Sequence, residues 1–121
     1  MKKKSDPRHL RRQKLVQTLF SWQFQSTKKA PSIISEIVRN LTKIDKAIAA
    51  SAPDRPIEQI NKIDLSILRL ATFELIIDKE TPPKVVVDEA IELGKEFGSD
   101  SSAGFVNGAL GKLIKLKDIQ T

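Results

Sequence analysis

The sequence predicts an all-α protein, a compact bundle of about six helices. Three observations carry that prediction. The first is the stretch Ile63 to Asp78, IDLSILRLATFELIID, in which Ile67, Leu68, Leu70, Ala71, Phe73, Leu75 and Ile76 cover most of a helical wheel. A helix that is apolar nearly all round is a buried one, and 16 residues is too long for a buried strand. At about 1.5 Å per residue it would be roughly 21–24 Å long, which suits a central helix. It is too short to cross a membrane, and Arg69 and Glu74 interrupt it. The second observation is the spacing of three and four in Ile33, Ile34, Ile37, Val38, Leu41, Ile44 and Ile48. The third is the set of breakers between apolar stretches: Pro53 with Pro56, and Pro82-Pro83.

Taken in order, residues 1–5 read as a flexible basic arm and residues 6–121 as a single helical domain. Asp6-Pro7 starts the first helix, Asp as cap and Pro at the first helical position. To about Gln25 its apolar members are Leu15, Val16, Leu19 and Phe20, with Trp22 at the edge. A second helix opens at Pro31 and runs to about residue 50, its outer face carrying Glu36, Arg39, Lys43 and Lys46. A short helix covers Ile57 to Asn61. The central helix follows, with Asp64 as its N-cap. Val85, Val86, Ala90, Leu93 and Phe97 define a helix from Lys84, despite the strand-like run Val85-Val86-Val87. Gly98 suits a left-handed C-cap, and the following Ser and Asp residues suit the next N-cap. The last helix runs from about Ala103 to Leu116, with Phe105, Val106, Leu110, Leu113 and Ile114 as its apolar members. Gly104, Gly108 and Gly111 inside it each cost about 1 kcal/mol relative to Ala. They predict close approach by a neighbour, either another helix, with Gly94 as the facing partner, or a ligand backbone.

Charge is concentrated at one end. Residues 1–14 hold Lys2, Lys3, Lys4, Arg8, Arg11, Arg12 and Lys14 against Asp6 alone. The whole chain has 21 basic and 15 acidic side chains, so the remainder balances at 14 of each and the net +6 sits at the start. Such asymmetry points to nucleic acid or an anionic surface, against the plainer reading of a solubilising tail. On the helical wheel Arg8 and Arg12 lie near the apolar face. Two readings of Arg12 stay open, a carboxylate at the end of the bundle or a phosphate.

Catalytic chemistry is not in view. The sequence has no phosphate-binding glycine loop and no nucleophile elbow. With no Cys and one His, thiolate or His-rich metal centres are excluded, and no cofactor is expected. Asp88, Glu89 and Glu92 form an acidic cluster that reads as a solvated face or as an internal partner for Arg69. With no apolar run of membrane length and no secretory signal, a soluble cytoplasmic protein is expected. Two aromatics stand out, Phe20 and Phe105. Each is either core or a stacking surface beside the basic arm, the combination that single-stranded nucleic acid uses.

Four pieces of the chain, in this order, resemble the NusB-type transcription antitermination factors. They are Arg12 to Gln23 (RQKLVQTLFSWQ), Ile63 to Leu75 (IDLSILRLATFEL), Pro83 to Gly98 (PKVVVDEAIELGKEFG) and Phe105 to Leu110 (FVNGAL). The resemblance implies a fold of two packed helical sub-bundles. It implies a protein that binds boxA-type single-stranded RNA together with NusE, a small-subunit ribosomal protein, and acts with the transcription elongation complex in ribosomal RNA operons. It places Arg8, His9, Arg11 and Arg12 at the RNA surface, and the charge of the arm lets Lys2, Lys3 and Lys4 reach phosphates beside them. Phe20 stands where the family has a Tyr, Phe105 is the RNA-contacting ring of the FVNG motif, and Ser101 replaces an acidic loop residue. The segment between Trp22 and Ile63 is shorter than usual by about one helix, and Asp88 and Gly111 also depart from the family pattern. A NusB-like domain also opens some ribosomal RNA cytosine methyltransferases. The alternative to an RNA-binding factor is a helical interaction module with a merely solubilising arm.

Overall fold

The computed structural model describes residues 6–121, and the expected arm at residues 1–5 lies outside them. Helix α1 spans Pro7–Gln23, capped by Asp6, whose carboxylate accepts the Arg8 amide at 2.8 Å. A 3-10 turn at Ser32–Ile34 leads into α2 (Ser35–Arg39) and α3 (Leu41–Ser51). A second 3-10 turn at Ile57–Gln59 precedes α4 (Lys62–Phe73), which runs on as a π turn over Glu74–Asp78. Helices α5 (Pro83–Phe97) and α6 (Ser102–Leu116) complete the order. No strand occurs among the described residues.

Helix α4 is the rod around which the others pack. It touches α1, α2, α3, α5 and α6, and every residue from Asp64 to Thr72 is buried. One group on it consists of α1, the first 3-10 turn and α2; the other consists of α3, α5 and α6, with α5 and α6 closely paired. Leu68, Leu70 and Ala71 are almost fully enclosed, each Leu worth about 1.5–3 kcal/mol of apolar burial. Ser66, a polar residue of this helix, is enclosed too. Its hydroxyl donates to the Lys62 carbonyl and accepts from Gln23 Nε2 at 2.7 Å, tying α4 to the end of α1.

Several boundaries differ from the sequence reading. The predicted helix over residues 31–50 is broken at Asn40, which sits at φ −103° and ψ 13°. Its side-chain amide donates to the Glu36 carbonyl at 2.8 Å. That local bond competes with the helical ladder, so a continuous apolar spacing becomes two short helices. The cap of α4 is Asn61, accepting the Ile63 amide at 2.9 Å, while Asp64 lies buried in the first turn. Val85 faces solvent, so the inward side of α5 is Val86, Glu89, Ala90 and Leu93.

The glycines also divide differently. Gly104, Gly108 and Gly111 have open space where a Cβ would stand, so they do not mark a close helix contact. Gly94 does: a Cβ there would lie 3.3 Å from the Ala103 backbone. Gly98 is extended at φ −95° and ψ −169°, not left-handed. Its need is spatial, since a Cβ would overlap the Ser102 side chain. Ser102 Oγ accepts the Ser99 amide at 2.9 Å and so fixes the turn between α5 and α6.

Candidate nucleic-acid interface

The first turns of α1 point their cationic side chains in two directions. Arg8 and Arg11 face solvent. Arg8 is 85% exposed and folds back on Asp6 at 3.3 Å. The hydrogen bond from the Arg8 side chain holds the Asp6 carboxyl below its ordinary pKa.

His9 and Arg12 face inward; for His9 this differs from the expectation that it stands with the exposed arginines, and for Arg12 it is the carboxylate reading of the two left open. His9 is 4% exposed, with Nδ1 3.0 Å from Glu89 Oε1 and Nε2 2.8 Å from Glu96 Oε1. A neutral imidazole has only one N–H, whereas the imidazolium serves both carboxylates. Burial disfavours that charge, but hydrogen bonds from the ring to Glu89 and Glu96 outweigh it and hold the pKa above its usual value. Gln13 adds a bond to Glu96 at 3.1 Å. Arg12 grips Glu74 through Nε and Nη2 at 2.9 and 2.7 Å, and reaches Glu89 and Thr81 at 3.5 Å. The Glu74 hydrogen bonds raise its already high pKa. The π turn presents Glu74 at this point, so α1, α4 and α5 meet in one charged cluster. Arg69 does not join the acidic cluster of α5; it pairs with Asp45 of α3 at 2.8 and 2.9 Å.

Aromatic side chains occupy two further places. Phe20 is half-buried, and its ring meets that of Phe24 edge-on with centroids 5.2 Å apart. Phe105 is half-buried on the first turn of α6, with the Arg55 guanidinium carbon 4.1 Å above its ring. Gly104 and Gly108 leave the surface beside it bare, and together with Pro53, Asp54 and Lys112 they line a hollow of about 420 Å³. Ser101 is exposed in the preceding turn, its hydroxyl 3.3 Å from that of Ser99. Lys2, Lys3 and Lys4 fall outside the described residues.

Sequence reasoning missed Arg55, Phe24 and Lys62. The four-residue spacing of Phe20 and Phe24 was a usable signal, since such pairs are neighbours on a helix. Arg55 gave none, because it meets Phe105 only through the packing of α3 on α6. Among the described residues no group of His, Cys, Asp or Glu could hold a metal ion, and no helix is long and apolar enough to cross a membrane.

Comparison with known proteins supplies the wider setting. Residues 25–115 match the model of the NusB family, a span that begins just after α1. The chain is 41% identical over 98 residues to the transcription antitermination protein NusB of Treponema denticola, covering 75% of this chain and 72% of that one. It is 48% identical over 79 residues to that of Lachnoclostridium phytofermentans and 49% identical over 73 residues to that of Chloroflexus aggregans. Those matches span 60% and 49% of the two relatives' lengths. Among solved structures, NusB of T. maritima superposes with a TM-score of 0.81 at 29% identity, covering 91% of this chain and 92% of that one. A chain from the crystal structure of a plectonemic RNA supercoil superposes with a TM-score of 0.79 at 21% identity, a likeness of fold, covering 94% of this chain and 98% of that one.

Proposed function

The chain belongs to the NusB family of non-enzymatic factors, and we propose that it serves as a transcription antitermination factor that binds boxA-type single-stranded RNA together with NusE. The observation that carries this reading is the division of α1. His9 and Arg12 anchor its first turns to α4 and α5, so Arg8 and Arg11 stand on a fixed helix facing outward. Cations on a rigid element hold phosphate without first losing backbone entropy. Phe20 and Phe105, each partly buried, supply at their accessible edges the ring surfaces that bases use. In this reading His9 and Arg12 position the helix, while Arg8, Arg11 and the lysines of the arm meet phosphate.

Phosphate contacts carry little base information. Modest affinity for RNA alone and a clear gain with NusE therefore follow, and linkage requires RNA to tighten NusE binding by the same factor. The test is a titration of a boxA-like RNA at two salt concentrations, with and without NusE. About four phosphate contacts give a log–log salt slope of roughly −2.8 for a single strand. Independent binding of RNA and NusE, or a flat salt response, would overturn the proposal in favour of a helical interaction module.

A further inference from the structure

Phe24, at the end of α1, is the most exposed of the large apolar side chains among the described residues, at 59%. A lone exposed Phe is ordinary, but this ring is not alone. It stands edge-on to Phe20, and the Lys62 ammonium lies 5.8 Å from its centroid. The two rings line a groove of about 690 Å³ with Gln17, Ser21, Asn61 and Lys62 among its other walls. Lys62 is the groove's one charged side chain among the described residues, and it is positive. The Gln17 amide and the amino group of Asn61, whose oxygen caps α4, interrupt the apolar surface that Ile63 and Phe97 share with the two rings. An amphipathic protein helix would want a continuous apolar trough; aromatic faces beside a cation and amide groups suit a base and its phosphate.

The groove also continues toward the arginines. A shallower one, lined by Leu10, Gln13, Lys14 and Thr18, shares Gln17 and Ser21 with it. The two make one track along the outer side of α1, about 21 Å from Leu10 to Phe24 at the helical rise. It starts next to exposed Arg11 and ends at the aromatic pair.

We propose that the Phe24 and Lys62 end of this groove is a base-stacking subsite for single-stranded RNA, in which a base lies on the exposed ring of Phe24 and Lys62 swings from above that ring to meet the adjoining phosphate. The subsite rests on the RNA-binding reading given above and extends the RNA path beyond Phe20.

Fluorescence anisotropy with a labelled single-stranded boxA-like RNA tests it, using Phe24→Ala, Phe24→Leu, Phe24→Trp and Lys62→Ala. Loss of the ring should weaken binding about 5- to 150-fold in both the Ala and Leu variants, while Trp retains affinity. Lys62→Ala should flatten the log–log salt slope by about 0.7. Melting temperatures should stay near that of the parent protein, because Phe24 and Lys62 are exposed. Parent-like RNA binding by Phe24→Leu overturns the subsite, since a branched alkyl chain cannot stack as a ring does. If the Phe24 variants keep RNA affinity but lose affinity for NusE, the groove is a protein-docking face and the proposal is wrong. Arg11→Ala separates the levels. Weaker RNA binding by that variant beside unaffected Phe24 variants removes only the subsite, whereas no salt-dependent RNA binding by the parent protein removes the RNA reading as well.

Discussion

Two pairs of side chains on the same two turns of α1 meet opposite fates. Arg8 and Arg11 are in water; His9 and Arg12, one residue further along in each case, are enclosed by Glu74, Glu89 and Glu96. In sequence the four look like one basic cluster. In the fold half of that charge is neutralised internally, and only the other half is available to a partner. The inward pair gives the outward pair a fixed platform. A basic count at a helix start therefore overstates surface charge and hides the residues that make the surface rigid.

The largest effect that could break this comparison is on stability. The Arg12 side chain is 11% exposed and its partner Glu74 10%. Arg12→Ala would leave Glu74 buried with its main cation gone, a loss of about 3–5 kcal/mol for a broken buried pair. Arg11→Ala should stay within about 0.5 kcal/mol, as exposed substitutions usually do. Urea unfolding of both variants checks this. Equal small losses would place Arg12 outside the core cluster.

A second test uses pH. The His9 pKa is raised in the folded protein by its bonds to Glu89 and Glu96, against the opposing effect of burial. A raised pKa means the folded state holds the proton more tightly than the unfolded chain. The resulting stability is fully present below the unfolded value of about 6.5 and is lost as pH rises through the folded value. Thermal melts should therefore show stability falling from about pH 6 upward, and His9→Gln should flatten that fall. A parent profile that rises over the same window would show that His9 is not the proton-binding group. Two-dimensional NMR of the ring would locate its titration directly.

Phe105 sharpens the comparison from the other end of the bundle. Its ring is partly buried against the core and covered on one side by Arg55. Phe105→Ala should weaken RNA binding by about 1–3 kcal/mol if a base stacks at this place. Paired melts and RNA titrations read both properties. A collapse of the melting temperature with no specific change in RNA affinity would make the ring a packing residue.

What the sequence revealed follows from range. The enclosure of α4 was legible because burial on all sides leaves a local mark: Ile67 to Ala71 offers almost no polar position. The N-cap Asp6 and the breaks at the prolines were legible for the same reason. The division at Asn40 was not, since the apolar spacing continues across it and only the bond from its side chain to Glu36 shows the break. Asn61 and Asp64 are both good caps, and the choice between them depends on where Ile60 enters the core. The glycines of α6 could be read as contacts or as open surface, and spacing does not distinguish the two. The inward turn of His9 was out of reach, because its carboxylates are 80 and 87 residues away.

The smallest expected effect on stability belongs to the outward pair and the arm. Arg8 contacts Asp6 across exposed surface, where water and salt screen ion pairs. Helix α1 keeps its cap without that side chain, because the bond from the Arg8 backbone amide to Asp6 does not depend on it. Replacing Arg8 and Arg11 by Ala should thus leave the unfolding midpoint nearly unchanged. If each cation meets one phosphate, the log–log salt slope of RNA binding should flatten by about 0.7 per residue. Replacing Lys2, Lys3 and Lys4 should act likewise, by up to about 2 units for the three. The two sets should combine additively in the slope, since counterion release counts phosphates and not their neighbours. A parent-like slope in the Arg8 and Arg11 variants beside a reduced one in the lysine variants would move the phosphate contacts off the helix and onto the arm. The rigid platform that His9 and Arg12 provide would then have no part in holding RNA.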